Sequence, residues 1–136
     1  ADGTLFFTPA ERPGAPEAID LPGAWTAVAH GPAGFVAGGA DNAYAVSADG
    51  RAWTLTPFGA PGEGVILALA AGPAHYAALR GTSVERDGWG VNQTELCLSA
   101  DGRKWRRVAV VEGGPHDFPL HALEWRGDRW VGAGQG

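Results

Sequence analysis

The sequence contains no methionine, a single cysteine and no apolar run that approaches the length of a membrane span. One cysteine excludes an internal disulfide, and a membrane-spanning helix needs about 20 consecutive apolar residues. Basic residues are in the minority, giving a formal net charge of −5. A nucleic-acid-binding protein presents a basic stripe, so this charge argues against a nucleic-acid partner. A chain that begins at alanine and has no methionine is expected to be a processed or excised piece of a longer protein.

Metal-binding and reactive-thiol patterns are also missing. The single thiol, Cys97, is flanked by Glu95, Leu96 and Leu98 in a segment that is typical of a strand. A reactive thiol needs an exposed, electropositive setting, so Cys97 is predicted to be a buried structural residue. No spacing of histidine, cysteine and acidic residues matches a metal site. We therefore predict no metal and no cofactor.

Glycine and proline are abundant, with 22 and 10 residues among 136. They follow no collagen-like period, which favours many turns joining short strands and predicts an all-β fold. A seven-residue word recurs within this background, first as Ser47 to Trp53 and again as Ser99 to Trp105. A shortened version, with Phe6 in place of the tryptophan, opens the chain. Internal repeats of this kind indicate a repeated architecture.

The word has the chemistry of a tight turn. Asp and Gly form the turn, Ser bonds backbone across it, and Trp folds back as an apolar plug. It resembles the Asp-box, or bacterial neuraminidase repeat, Ser-x-Asp-x-Gly-x-x-Trp, without the residue between Asp and Gly. In that family the motif is a structural, non-catalytic turn in a β-propeller blade. The resemblance assigns this structural role to eight residues: Ser47, Asp49, Gly50, Trp53, Ser99, Asp101, Gly102 and Trp105.

Strands are predicted between the turns in a repeating order. Eleven are expected: 4–8, 25–30, 35–39, 42–47, 53–58, 65–71, 75–80, 94–99, 105–111, 120–125 and 129–133. If four antiparallel strands, A to D, form each blade, the chain reads D, ABCD, ABCD, AB, or about 2.75 blades. The corresponding units are 1–24 (outer strand plus loop), 25–64 (blade), 65–119 (blade) and 120–136 (first two strands of a further blade).

An incomplete ring has several explanations. Propellers typically close with about four to eight blades. The chain is therefore expected to be part of a larger propeller, to form a homo-oligomer, or to pair with blades of another chain or of the same precursor. The alternative fold is an autonomous β-sandwich with accidental repeats.

The long, irregular connections are predicted to lie on the face opposite the repeated turns. They are Pro9–Gly23, Gly81–Asn92 and Glu112–Pro119. Binding residues usually lie on loops carried by a rigid scaffold. The candidate ligand-binding residues are Glu85, Arg86, Asp87, Trp89, His116 and Asp117. A tryptophan face beside carboxylates suits a sugar or a cation, whereas the alternative is a solvated loop with Trp89 folded onto a neighbouring blade.

Two functions remain open at this point. The first is a non-catalytic propeller segment that acts as a binding or assembly scaffold for a protein or glycan. The second is a fragment of a sialidase-like glycoside hydrolase, because Asp-box proteins include sialidases. The early Phe/Tyr-Arg-Ile-Pro motif of sialidases is absent, and Tyr44 and Tyr76 fall inside strands. The resemblance favours a secreted or cell-surface protein, and the Ala, Gly and Arg content suggests a bacterial source.

Overall fold

The computed structural model describes residues 4–8, 14, 16–40, 43–56, 64–113, 120 and 122–134. The fold of this part of the chain is all-β, as the glycine-rich and proline-rich sequence predicts. Its twelve strands are β1 (Leu5–Phe7), β2 (Glu17–Ile19), β3 (Trp25–Gly31), β4 (Gly34–Gly39), β5 (Tyr44–Ser47), β6 (Thr54–Leu55), β7 (Val65–Ala71), β8 (Tyr76–Arg86), β9 (Trp89–Ser99), β10 (Arg106–Glu112), β11 (Ala122–Trp125) and β12 (Trp130–Ala133).

The strands form two four-stranded antiparallel sheets in simple sequential order, β3-β4-β5-β6 and β7-β8-β9-β10. Two-stranded sheets, β1-β2 and β11-β12, accompany them. Sequential order follows from the short turns, because a tight turn returns the chain beside the strand it has just left. The two four-stranded sheets therefore have the same topology, and they correspond to the two complete repeats of the sequence.

Residues 17–19 form a strand, whereas the sequence predicted one continuous loop over Pro9–Gly23. β2 pairs with β1, and Ile19 lies opposite Leu5. Pro16 and Pro22 lie outside the strand. Proline has no backbone N–H, and at these positions none is needed for pairing between the strands. The prediction was wrong because the prolines limit the length of the strand without preventing it.

The predicted insertion Gly81–Asn92 is also a paired structure and not an irregular loop. β8 and β9 each extend to 11 residues and pair along their whole length, from Tyr76 opposite Ser99 to Arg86 opposite Trp89. Asp87 and Gly88 form the turn with φ of 52° and 82°. Two positive φ angles are those of a type I′ turn, whose twist matches that of the strands it joins. The insertion is therefore a projecting β-hairpin.

The core lies between stacked sheets. Val36 and Tyr44 of the first four-stranded sheet pack against Ile66 and Tyr76 of the second. The sheets approach closely at Gly38, where an added Cβ would lie 2.7 Å from Ile66. The hydroxyl of Thr26 donates to the carbonyl of Ile66 at 2.5 Å and so links β3 to β7. The first strands of the two sheets are thus adjacent.

A second cluster covers the other face of the first sheet. Leu5 packs there with Trp25, Ala37 and Ala45. The β1-β2 pair therefore contributes to a layer on this face. Beyond the second sheet, β11 lies beside β7, and the ring of Trp125 approaches Gly72, where an added Cβ would be 3.0 Å from it. The sheets succeed one another in the order of the sequence.

The repeated word forms the same turn in both sheets. In the first copy, the amide of Gly50 donates to Ser47 Oγ at 2.8 Å, and the amides of Arg51 and Ala52 donate to Asp49 Oδ1 at 2.9 and 3.0 Å. The indole of Trp53 donates to the carbonyl of Gly50 at 2.8 Å. These bonds are the ones that the Ser, Asp and Trp chemistry of the word predicts.

The second copy repeats this geometry between β9 and β10. Gly102 N donates to Ser99 Oγ at 2.8 Å, and the amides of Arg103 and Lys104 donate to Asp101 Oδ1 at 2.8 and 3.0 Å. The backbone donors, Lys104 first, hold the pKa of Asp101 below its usual range. Trp105 lies edge-on to Tyr44 of the preceding sheet, with ring centroids 5.7 Å apart. The turn thus also joins neighbouring sheets.

Candidate functional site

The tip of the β8–β9 hairpin brings together four of the six predicted site residues: Glu85, Arg86, Asp87 and Trp89. Arg86 and Trp89 are cross-strand neighbours on either side of the turn. The Trp89 side chain is 74% exposed, the most exposed of the large apolar side chains described. Its ring therefore faces solvent, and the alternative in which Trp89 folds onto a neighbouring blade does not match the structure.

The arginine at the tip is held by its neighbour strand. Arg86 Nε lies 3.1 Å from Glu112 Oε1 at the end of β10, and both side chains are about half exposed. Glu85 and Asp87 are exposed beside it. The tip therefore presents an indole ring and two carboxylates, while the guanidinium is ion-paired. The other two candidates, His116 and Asp117, lie outside the described residues and stay predictions.

Polar contacts across the hairpin fix its shape. Ser83 and Asn92 are opposite each other, and the Ser83 hydroxyl lies 2.8 Å from Asn92 Oδ1. Nearer the core, the Thr94 hydroxyl donates to the carbonyl of Leu120 at 3.2 Å, which ties the hairpin to the segment before β11. Paired backbone and these side-chain bonds make the hairpin a stiff support for its tip.

A buried ion network lies at the base of the hairpin. Arg80 of β8 and Glu95 of β9 are directly opposite each other, with Arg80 Nη1 at 2.7 Å from Glu95 Oε1. Their side chains are only 3% and 8% exposed. Arg107 of β10 binds the second carboxylate oxygen at 3.0 Å from a side chain that is 59% exposed. The sequence analysis missed this network, which connects three consecutive strands.

Both tyrosines are bound to backbone groups of neighbouring segments. Tyr44 OH donates to the carbonyl of Gly102 at 2.6 Å, and Tyr76 OH donates to the carbonyl of Gly34 at 2.7 Å. The amide of Ala33 also donates to Tyr76 OH at 2.8 Å. Burial raises the pKa of both phenols. Through these hydrogen bonds the two phenols link neighbouring sheets.

Cys97 is buried in β9 and is 2% exposed, as the sequence predicts. Burial raises the pKa of its thiol to about 11. The thiolate is the nucleophilic form, and it is scarcely populated at neutral pH with such a pKa. Cys97 therefore acts as a small apolar side chain in the core.

Comparison with known proteins finds no matching family model, no matching curated protein and no matching solved structure. In the part of the chain that the structure describes, no three His, Cys, Asp or Glu side chains come together in a group that could hold a metal ion. The same residues include no helix that is long and apolar enough to cross a membrane.

Proposed function

We propose that the chain is a non-catalytic β-propeller segment of the Asp-box type and that it binds a glycan or a protein through the β8–β9 hairpin tip. The observation that carries this proposal is the 74% exposure of Trp89 at the tip of a hairpin that also carries the exposed Glu85 and Asp87. At the hairpin tip the apolar surface of the indole ring is exposed to solvent. A ligand that covers the ring would bury this surface, which is favourable.

The propeller part of the proposal rests on topology and stacking. Two sheets of four sequential antiparallel strands have adjacent first strands, and each carries the same Ser-x-Asp-Gly turn between its third and fourth strands. The β11-β12 pair continues the order of the sheets as the first half of a further blade. A propeller is the fold that repeats such a unit around an axis.

A sugar is the ligand class that best fits the tip. The flat face of a sugar ring carries C–H groups that pack on an indole, and its hydroxyls donate to neighbouring carboxylates. Glu85 and Asp87 supply acceptors on the same tip, while Arg86 is engaged by Glu112. A neutral glycan therefore suits the tip better than an acidic one, because two exposed carboxylates repel an anion.

Replacing Trp89 with alanine is expected to abolish binding on a glycan array, since the largest exposed apolar surface of the tip is lost. The matched control is Phe6→Ala, which removes a 63% exposed aromatic ring from β1 and should leave binding unchanged. No glycan bound, or glycans bound equally by the Trp89→Ala protein, would contradict the proposal. Release of a sugar from an array ligand would instead favour the glycoside-hydrolase alternative.

The assembly part of the proposal concerns β12. Among the described residues, β12 pairs only with β11, while complete sheets have four strands. An edge with unpaired N–H and C=O groups pairs readily with another strand. Light scattering is expected to give a solution mass of two or more times the 14.0 kDa of one chain. A well-folded monomer would contradict assembly by this chain alone.

A further inference from the structure

Three positively charged side chains at the second repeat turn stand apart from the other cations. Six described cations form ion pairs with carboxylates: Arg51, Arg80, Arg86, Arg107, Arg126 and Arg129. Within the described ranges, Arg103, Lys104 and Arg106 form none. The unpaired cations are thus gathered at one turn of a protein whose net charge is −5.

Two of them line a cleft of about 230 Å³. Trp105 lies between Lys104 and Arg106 in sequence and also lines the cleft, and His75 and Ser99 complete its polar lining. None of the lining residues is a carboxylate. His75 is exposed at this cleft. The residues offer hydrogen-bond donors and positive charge around an aromatic side chain.

The first repeat provides an internal comparison. Phe35 lies opposite Ser47 as Tyr76 lies opposite Ser99, so the two turns can be superposed residue by residue. On that register, Gly34, Ala52 and Thr54 occupy the positions of His75, Lys104 and Arg106. The turn geometry is the same in both copies. The cationic residues are therefore not needed to form the turn, and they distinguish the second copy from the first.

We propose that this cleft, the Lys104–Arg106 cleft, binds a small oxyanion carried on a ring, such as a carboxylated monosaccharide. The Arg106 guanidinium has the fork geometry that recognises a carboxylate through two hydrogen bonds, and Lys104 adds a compact charge. Trp105 supplies an apolar surface for the ring. A volume of about 230 Å³ suits a single ring and not a long chain. This site is separate from the hairpin tip and favours an anion where the tip favours a neutral ligand.

The test is titration of the whole chain with D-glucuronate, D-glucose and inorganic phosphate, followed by calorimetry and by the indole N–H signals in NMR spectra. Glucuronate should bind saturably and more tightly than glucose, and rising salt should weaken it. Phosphate should compete with glucuronate, because both present the oxyanion. The Trp105 indole signal should shift on glucuronate binding.

The decisive variant combines Lys104→Ala with Arg106→Thr, which introduces at the second turn the residues found at the matching positions of the first. Loss of two charge-assisted contacts should weaken glucuronate binding by about tenfold or more, while the thermal unfolding midpoint stays unchanged because both side chains are exposed. Arg126→Ala removes an exposed arginine paired with Glu124 and should leave binding intact.

Three results would overturn the proposal. They are equal affinity for glucose and glucuronate, no competition by phosphate, and retention of affinity in the double variant. Trp89→Ala separates this site from the hairpin tip. That change should leave glucuronate binding unaltered even if it abolishes glycan-array binding, and a loss of glucuronate binding in Trp89→Ala would assign the anion to the tip instead.

Discussion

Replacing Glu95 with alanine is expected to destabilise the protein by about 3–5 kcal/mol, because the change removes a buried carboxylate from a buried arginine. Arg80 and Glu95 are 3% and 8% exposed and their charged atoms are 2.7 Å apart. Bulk water solvates a side chain of such low exposure poorly, so the loss of its carboxylate partner is costly. Denaturant unfolding of the wild-type and variant proteins measures the loss as a change in the midpoint at constant slope.

Arg107→Ala is the matched control for this prediction. Arg107 binds the same carboxylate at 3.0 Å, but its side chain is 59% exposed. Exposed ion pairs contribute about 0–1 kcal/mol, so this variant should lose little. Similar losses in Glu95→Ala and Arg107→Ala would show that the Arg80–Glu95 pair is accessible to water and contributes no more than a surface pair.

The network also affects the proposed binding site. Arg80 and Glu95 join β8 to β9 at the base of the hairpin that carries Trp89. Weakening the base should increase local opening of the hairpin before the whole protein unfolds. In the Glu95→Ala protein, amide hydrogen exchange is therefore expected to accelerate in β8 and β9 more than in β3 and β4.

The repeat turns could be predicted from the sequence because their chemistry is local. Ser47 and Asp49 bond to amides within three residues of themselves, so the seven-residue word contains nearly all of the information that forms the turn. Local patterns sufficed for the all-β fold and for two sets of four strands.

The hairpin at 81–92 could have been found from the same kind of signal. Asp87-Gly88 is the residue pair that a type I′ turn prefers, and Val84 and Val91 flank it as a cross-strand pair. The charged and glycine-rich composition of the segment led to the prediction of an irregular loop instead. The predicted site residues in the hairpin nevertheless lie together, since a loop and a hairpin both bring Glu85 close to Trp89.

The ion network and the Lys104–Arg106 cleft could not be predicted from local patterns. Arg80 and Glu95 are 15 residues apart, and only the register of β8 with β9 places them opposite each other. In the same way, His75 joins Lys104 and Arg106 only because Tyr76 pairs with Ser99. Register depends on the whole hairpin and on the face that is buried, which a single sequence does not reveal.

Replacing Ile66 with alanine is expected to destabilise the protein by about 2–5 kcal/mol through lost burial and the cavity left behind. Ile66 is 0% exposed and fills the space between the two four-stranded sheets. A Cβ added at Gly38 would lie 2.7 Å from the β-carbon and from both γ-carbons of Ile66. The β-carbon remains in alanine, so a side chain at residue 38 could not fill the cavity left by Ile66→Ala without strain. Ile66→Val removes one methyl group and should cost about 0.5–1.5 kcal/mol.

The control for Ile66→Ala is Leu55→Ala on β6, which removes a 53% exposed aliphatic side chain. It should change stability by no more than about 0.5 kcal/mol.

Gly38→Ala tests the interface from the opposite sheet. Its combination with Ile66→Ala should destabilise the protein by less than the sum of the two single changes, because the residues share one contact. Additive losses, or equal losses in Ile66→Ala and Leu55→Ala, would contradict the close stacking of the sheets. That stacking is also what places Tyr44 against Gly102 and Trp105.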